Sequence, residues 1–393
     1  MSEKIHFFAT PHRCTAAILP FDLEERLKHW ASLRFKMVKH VHENFTRDEW
    51  AYLVAFLDEA NLRKPFQESF GESVTGGPAQ PAALLRPRGL IGIWLPNNVS
   101  LLGSLTLLLA SFSGNPLRVK AGSGAGDLTA AFVDYAIQNL PDGKLADYLR
   151  QCVRIERFDR QDPRNHQMAA EAMVRVVFGS DQAVSAIHAL PHPPNSMGIS
   201  FGNHRSEAWV EKDALTDERL TNLIRVFAMY GQAGCTSPRR VVVLDGSDED
   251  ALALQKSLVR LWPKAVRADV PMHKASQNIM ELQLALAQGW HATSAPRSGA
   301  LVAAGRIGLP EPTGLMSLPV VSASLNEAVA TLATNIQTIG HCLRDPHDPQ
   351  WLGLIARTPA KRFVPIEAMH HFGPVWDGGN FWRQFFEEVE LQS

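Results

Sequence analysis

An α/β fold with a doubly wound parallel sheet and a second domain is what this sequence predicts, on three observations. Short apolar runs alternate with helical patterns, as expected for parallel strands buried between helices. The chain has 393 residues, a length that suggests two domains with a core each. Its composition is ordinary for a globular protein: 45% hydrophobic and 20% charged, with 39 Lys+Arg against 40 Asp+Glu for a net charge of −1. Intrinsic disorder is excluded, since it needs low hydrophobicity and high net charge. A nucleic-acid partner is argued against as well, because phosphate-backbone binding shows as a basic excess.

Residues 1–88 read as a helical segment followed by a linker. Thr46-x-x-Glu49 has the form of a capping box and stands just before the apolar-rich stretch Trp50–Leu62. Residues 71–88 carry Gly and Pro throughout and predict a linker or long loop. From Leu90 the pattern changes. Leu90–Leu95 is a short apolar run ending at Pro96 and predicts a buried strand. Val99–Phe112 is apolar but too short to span a bilayer, so it predicts a buried helix. Pro116–Lys120 is a second strand, and Asp127–Leu140 an amphipathic helix with Leu128, Ala131, Phe132 and Tyr135 on one face. Val174–Val177 is a third strand, with Asp181–Leu190 helical after it.

A second unit begins near Phe201. Thr216-Asp217-Glu218 opens a helix with Leu220, Leu223, Ile224 and Phe227 on one face. A turn follows Tyr230, and Arg240–Leu244 is the next strand. Leu301–Ala303 and Leu318–Ser322 are further strands, and Asn326–Ile339 reads as a helix. No internal repeat or low-complexity segment is evident.

The four cysteines, Cys14, Cys152, Cys235 and Cys342, lie far apart and form no C-x-x-C pair. A disulfide scaffold is therefore not expected, and a reducing compartment is. The first residues, MSEKIHFFATPHRC, include Glu3 and lack the apolar core of a secretory signal. The expected location is cytoplasmic, with no membrane span.

One stretch carries chemistry: Tyr230–Arg240, YGQAGCTSPRR. It places Cys235 in a Gly-containing turn between a helix and a strand, where a thiol is presented rather than buried. A thiol is intrinsically a strong nucleophile, and Arg239 and Arg240 would favour its thiolate. The competing reading is that Cys235 is a small apolar filler.

Four segments in chain order resemble the aldehyde dehydrogenase superfamily. The Cys235 turn is similar to that family's nucleophile segment, and Pro96-Asn97-Asn98-Val99 to its Pro-x-Asn turn. Gly114–Lys120 resembles the strand ending in a cofactor-contacting Lys, and Phe178-Gly179-Ser180 the Gly-Ser turn at the pyrophosphate. Within the superfamily the likeness is to the acyl-CoA reductase branch, the fatty-acid reductase subunit of the bacterial luciferase system. Gln232-Ala233-Gly234-Cys235-Thr236-Ser237-Pro238 and Trp376-Asp377-Gly378 carry it.

The resemblance implies an aldehyde-dehydrogenase-like fold with its active site in the cleft between two doubly wound domains. Residues 89–202 would be the dinucleotide-binding domain, with 1–88 packed on it. Residues 203–360 would be the catalytic domain holding the nucleophilic Cys, and 361–393 a segment returning to the cofactor domain or forming an interface. Implied site residues are Cys235 and Asn98 for catalysis, the Asn98 amide and the Cys235 N–H binding the oxyanion. Lys120, Ser123, Gly179, Ser180 and Arg118 would bind the cofactor.

Two absences refine this. Hydrolytic aldehyde dehydrogenases use a Glu to activate water, and Phe201 stands at the aligned position, with no carboxylate between Asn195 and Arg205. A phenyl ring accepts no proton, so reductive acyl transfer is favoured over oxidation to an acid. NAD-preferring relatives often carry an acid three residues after the Lys, where this chain has Ser123. A neutral residue tolerates a 2′-phosphate that Arg118 or Lys120 would pair, so NADPH is favoured over NADH. The expected activity is NADPH-dependent reduction of an acyl thioester, on coenzyme A or a carrier protein, to an aldehyde through a Cys thioester. The alternatives are an NAD(P)-dependent aldehyde dehydrogenase and a non-catalytic scaffold subunit. The assembly is left open between a homo-oligomer and a complex with an acyl-transfer or activating enzyme.

Three decoys are set aside. Ala121–Gly126 lacks the spacing of a phosphate loop. His188 with His192, and His370 with His371, give no i, i+4 pair backed by a Glu, so no metal is expected. Phe372-Gly373-Pro374 resembles a nicotinamide-ribose segment but stands too late in the chain; the counterpart is placed near Leu315–Pro319. Trp376 and the run Phe381–Phe386 would form a substrate wall or an interface.

Overall fold

In a computed structural model of the chain, the described residues are 5–7, 23–70, 83–122, 126–266, 272–296, 298–312, 316–373 and 375–390. They divide into two compact units, 1–202 with 373–393, and 203–372. No helix among the described residues is long and apolar enough to cross a membrane.

The first unit contains β1 (Ile5–Phe7), α1 (Leu23–Met37), α2 (Arg47–Phe56), α3 (Glu59–Phe70), β2 (Ala83–Pro87), β3 (Ile91–Trp94), α4 (Leu102–Ser111) and β4 (Leu117–Lys120). After these come α5 (Thr129–Asn139), α6 (Lys144–Cys152), β5 (Val153–Glu156), α7 (Arg164–Glu171), β6 (Val174–Phe178), α8 (Asp181–His188) and β7 (Met197–Phe201). The sheet order is β5-β4-β3-β6-β7 with every pairing parallel, the order of a doubly wound sheet. Every residue of β3 and β6 is buried, which explains why each reads as a continuous apolar run. The switch in winding direction lies between β3 and β6, so their carboxyl ends open a crevice.

Helix α1 packs on α4 with the help of a buried arginine. Arg26 Nη1 on α1 donates to the carbonyls of Ser111 at 2.8 Å and Phe112 at 2.6 Å. Those are end-of-helix carbonyls of α4, which a cation stabilises. Trp30 adds a bond from its indole N–H to Ser111 Oγ at 3.0 Å and stacks on Phe132 at 5.8 Å.

Three expectations are corrected here. The Thr46–Glu49 capping box is present, but the helix it opens ends at Phe56, and α3 starts a new one at Glu59. Asp58 intervenes, its carboxylate accepting from the Ala60 N–H at 3.1 Å. Part of the expected loop is strand β2, which ends at Pro87, a residue with no N–H to continue a ladder; residues 71–82 lie outside the described ones. The buried face of α5 is Thr129, Phe132, Val133 and Ala136, one position round from the expected stripe. Tyr135 faces α2 instead, its ring edge-on to Trp50 at 4.9 Å. Strand β5 leaves no apolar run in the sequence, because Arg154 and Glu156 interrupt it and none of its residues is fully buried.

The second unit holds β8 (Arg205–Val210), α9 (Asp217–Ala228), β9 (Pro238–Leu244), α10 (Asp248–Ala265), α11 (Met272–Ala287), β10 (His291–Ser294) and β11 (Leu301–Arg306). It continues with β12 (Ser317–Ala323), α12 (Leu325–Ala330), β13 (Ile336–Cys342), α13 (Pro349–Ile355) and β14 (Arg362–Pro365). Its sheet runs β10-β11-β12-β9-β8-β13-β14, antiparallel only between β10 and β11. Leu220, Leu223, Ile224 and Phe227 of α9 are buried as expected, against a core that includes Val241, Val243, Leu258 and Trp262.

The expected helix Asn326–Ile339 is wrong over its second half. Ser324 and Glu327 close a capping box, α12 stops at Ala330, and Ile336–Cys342 is a strand buried at all seven positions. Three β-branched residues, Ile336, Thr338 and Ile339, fit a sheet interior better than a helix. Residues 361–372, grouped in sequence with the C-terminal segment, belong to this unit because β14 pairs in parallel with β13.

Residues 375–390 rejoin the first unit through β15 (Val375–Trp376), β16 (Gly379–Asn380) and β17 (Phe386–Glu390). Asp377 (φ 49°) and Gly378 (φ 82°) make the two-residue turn between β15 and β16, both left-handed as a tight hairpin requires. β17 pairs antiparallel with β2, completing a three-stranded sheet with β1. Of the substrate wall or interface expected from this run, an exposed interface is not what Phe381, Trp382, Phe385 and Phe386 form, because all four are buried in the core.

Candidate active site

The Cys235 segment begins where α9 ends. Tyr230 (φ 55°), Gly231 (φ 60°) and Gln232 (φ 61°) are left-handed in succession, a conformation that costs energy for the two non-glycine residues. Such a turn persists only where its surroundings over-determine it, and here side chains do so. The buried Gln232 amide donates to the carbonyls of Ser317 at 2.9 Å and Pro238 at 3.2 Å. Its oxygen accepts from the Ser317 N–H at 3.1 Å. Gln232 thus bridges the starts of β9 and β12 as a strand backbone would.

Cys235 sits half-buried three residues on. Its carbonyl accepts from Ser206 Oγ at 2.7 Å, and the next turn is closed by the Ser237 N–H on the Gly234 carbonyl at 3.0 Å. Thr236 Oγ1 lies 2.6 Å from His370 Nδ1, while His370 Nε2 lies 2.8 Å from the Val226 carbonyl. A carbonyl only accepts, so Nε2 carries the proton and Nδ1 accepts from Thr236. Burial, with Arg362 and His371 adding repulsion, pushes His370 down to about 4, so the ring is neutral at neutral pH.

Of the two arginines expected to favour a thiolate, Arg240 is committed elsewhere. It is buried and paired with Glu207 at 2.8 Å, so its charge is matched on the spot. Burial raises the Glu207 carboxyl from the usual range, partly offset by that same Arg240. Arg239 is half-buried, and burial lowers its pKa.

In the first unit the expected residues gather at the carboxyl ends of β3, β4 and β6. Asn98 lies exposed in the bend after β3. That bend is braced: the Leu128 N–H donates to the Ser100 carbonyl at 3.2 Å, and Ser100 Oγ donates to Glu49 of the capping box. A Cβ on Gly122 would fall 2.6 Å from the Pro96 carbonyl oxygen, so the two loops cross at a distance only glycine permits. Asp127 completes the brace, accepting from the N–H groups of Gly122 and Thr129 at 2.8 Å each.

Lys120 ends β4 half-buried, its Nζ 5.6 Å from the Phe158 ring centroid. Burial, then the charge of Arg160, lowers its pKa. Arg118 departs from its expected role. It is buried between Glu156 at 2.7 Å and Glu171 at 3.1 Å, so its guanidinium is already matched. Gly179 donates its N–H to the Phe201 carbonyl at 3.1 Å, and a Cβ there would come within 3.2 Å of Ala183. Ser180 caps α8, its hydroxyl accepting from the Ala183 N–H at 3.3 Å. Gly179 and Ser180 thereby lead into a helix N-terminus, a natural place for an anion. Ser123 lies outside the described residues.

Phe201, at the position of the missing carboxylate, is buried and stacked on Phe178 with centroids 4.3 Å apart. Phe381 packs on it at 5.6 Å. Among the described residues no group of three or more His, Cys, Asp or Glu has the geometry to hold a metal ion. Sequence reasoning missed His370, Ser206 and Glu49. Each acts through a contact 29 to 134 residues away along the chain, which leaves no local motif.

Comparison with known proteins adds the following. The model of the acyl-CoA reductase (LuxC) family matches residues 77–386. A search of curated proteins finds no match. Among solved structures, an oxidoreductase from Marinobacter aquaeolei is similar with a TM-score of 0.66 at 14% identity, covering 95% of this chain and 86% of that one. The indole-3-acetaldehyde dehydrogenase AldA of P. syringae, solved with NAD+, gives 0.64 at 11% identity, over 94% of this chain and 85% of that one. Proline utilization A of Bradyrhizobium japonicum gives 0.65 at 16% identity, and this chain spans only 42% of its length. At such identities the likeness establishes the aldehyde-dehydrogenase-like α/β fold.

Proposed function

Because the chain belongs to the acyl-CoA reductase (LuxC) family, we propose that it reduces an acyl thioester to an aldehyde, with Cys235 as nucleophile and NADPH as reductant. The observation that carries this reading is the nucleophile turn: a half-buried thiol presented by three successive left-handed residues and braced on both sides.

The chemistry balances as follows. The Cys235 thiolate adds to the carbonyl carbon of the acyl thioester, forming a tetrahedral oxyanion. Donors assigned to that oxyanion are the Asn98 side-chain amide and the Cys235 backbone N–H. The carbonyl re-forms as the carbon–sulfur bond to the carrier breaks, and the carrier thiolate leaves with the electron pair. The acyl group is then a thioester of Cys235. When bound, NADPH would supply the hydride that reduces this thioester to the hemithioacetal anion. Its oxygen re-forms a carbonyl as the carbon–sulfur bond to Cys235 breaks, which releases aldehyde and returns the Cys235 thiolate.

The residues present fit a dinucleotide. The crevice between β3 and β6, with Gly179 leading into the capped N-terminus of α8, suits a pyrophosphate. With Arg118 matched by two carboxylates, Lys120 is the cation assigned to the 2′-phosphate, with Arg160 as the neighbour whose charge it feels. Phe201 supports reduction over oxidation: its ring packs among phenyl groups and takes no proton from water. Coenzyme A and a carrier protein both present the required thioester.

The test uses the purified chain, octanoyl-CoA and NADPH. Intact mass should show one octanoyl adduct on the wild type and none on Cys235→Ala, and NADPH consumption should fall by at least about 10³-fold in the variant. An adduct persisting in the variant would remove Cys235 from the mechanism. Absence of any adduct on the wild type would favour a scaffold. Free acid formed from aldehyde and NADP+ without a thiol acceptor would favour oxidation instead.

A further inference from the structure

We infer that His370 is a positioning residue for acyl transfer: its ring clamps the nucleophile turn by accepting from Thr236, the residue after Cys235, while donating to the carbonyl of Val226 in the last turn of α9. The inference rests on the assignment of Cys235 as nucleophile.

The clamp is built from three contacts to one buried ring. Nδ1 lies 2.6 Å from Thr236 Oγ1, Nε2 lies 2.8 Å from the Val226 carbonyl, and the Tyr230 ring stands edge-on with its centroid 5.8 Å away. His370 and Thr236 are 9% and 6% exposed, so neither bond is shared with bulk water. Val226 and Tyr230 precede Cys235 and Thr236 follows it, so one imidazole holds both flanks of the turn. Ser206 fixes the Cys235 carbonyl from the other side at 2.7 Å. Between them, Ser206 and Thr236 leave the Cys235–Thr236 peptide one orientation, and that orientation sets where the thiol points.

Proton transfer is not the role the geometry supports. Both ring nitrogens are engaged, and burial holds the ring neutral down to about pH 4. The charged and titratable groups around it are Arg362, His371 and Tyr230; the first two oppose protonation. A base this weak takes little from a thiol at neutral pH. A neutral acceptor with a fixed tautomer is instead well suited to hold a hydroxyl, and so a backbone, in place. Misplacement of a reacting group by about 1 Å costs on the order of 10²-fold in rate, which gives the clamp a kinetic consequence.

Thr236→Val removes the hydroxyl at nearly constant volume, Thr236→Ser retains it, and His370→Asn shortens the clamp. The measurement is the single-turnover rate of Cys235 acylation by octanoyl-CoA, read by quenched-flow mass spectrometry, with KM for NADPH and the melting temperature alongside. Thr236→Val should slow acylation by about 10- to 100-fold with KM for NADPH unchanged, and Thr236→Ser should bring the rate back to within about threefold of wild type. The double variant Thr236→Val/His370→Asn should be no slower than the slower single, because both break one clamp. Acylation at the wild-type rate in Thr236→Val, or losses that multiply in the double variant, would overturn the inference. If His370→Asn fails to fold, the Thr236 pair still decides. Loss of acylation in Cys235→Ala together with full-speed Thr236→Val sinks the clamp alone, whereas an acylated Cys235→Ala sinks the nucleophile assignment beneath it.

Discussion

Two sets of loops carry the proposed chemistry, and they are held by different means. At the carboxyl ends of β3, β4 and β6, the bracing bonds are largely backbone to backbone: Leu95 N–H to Lys120, Ala121 N–H to Glu156, Leu128 N–H to Ser100, Gly179 N–H to Phe201. The Cys235 turn of the second unit instead depends on side chains: the Gln232 amide, the Ser206 hydroxyl and the Thr236–His370 pair. A dinucleotide would be met by features that many sequences supply, namely strand ends, glycines and a helix N-terminus. A thiol must be aimed within a fraction of an ångström, and three left-handed residues in a row do not hold themselves. Single substitutions should therefore hurt the turn more than the strand ends.

The largest effect is expected at Gln232. Gln232→Ala leaves the Ser317 N–H and the carbonyls of Ser317 and Pro238 without their amide partner in a buried site. Each buried group left unsatisfied costs about 1–3 kcal/mol, so urea denaturation should report a loss of at least about 3 kcal/mol. A loss below about 1 kcal/mol would mean that the turn holds itself, and the contrast between the two sets of loops would fail.

The same contrast explains what could be read in advance. Strands β3, β6 and β9 and helices α4, α8 and α9 were legible because local burial leaves a local pattern: apolar runs, or an apolar stripe behind a cap. Cys235, Asn98, Lys120 and Gly179 are singled out by motifs in chain order, not by periodicity. What stayed hidden is what acts at long range. Arg118 looked available for a phosphate because nothing near it in sequence announces Glu156 and Glu171. His370 looked like one of two adjacent histidines, and its partner Thr236 lies 134 residues earlier. The stretch 331–339 failed for a different reason: a strand buried on both faces has no alternation, and its apolar residues happened to match a helical period.

A smaller effect, with a distinct signature, is expected at Lys120. Lys120→Met keeps the aliphatic stem over Phe158 but removes the charge assigned to the 2′-phosphate. KM for NADPH should rise about 10-fold, the equivalent of one charge-assisted contact, while KM for NADH changes by less than about twofold. Steady-state kinetics with both cofactors decides the matter. Equal changes for the two cofactors would move the 2′-phosphate contact away from Lys120, and with it the preference for NADPH.

The smallest effect belongs to Glu49, where the first unit departs from its reliance on backbone. One carboxylate oxygen accepts from the Thr46 N–H at 2.9 Å and the Thr46 hydroxyl at 2.8 Å, closing the box that caps α2. The other accepts from Ser100 Oγ, two residues beyond Asn98. Glu49→Ala removes both functions at a partly exposed site, where such caps are worth about 1 kcal/mol. Thermal unfolding should show that modest loss. The rate of Cys235 acylation should fall by less than about fivefold, because the Leu128-to-Ser100 backbone bond still holds the Asn98 bend. A fall on the scale expected for Thr236→Val would mean that the Asn98 bend is aimed by a side chain after all, and the two sets of loops would then differ in place but not in kind.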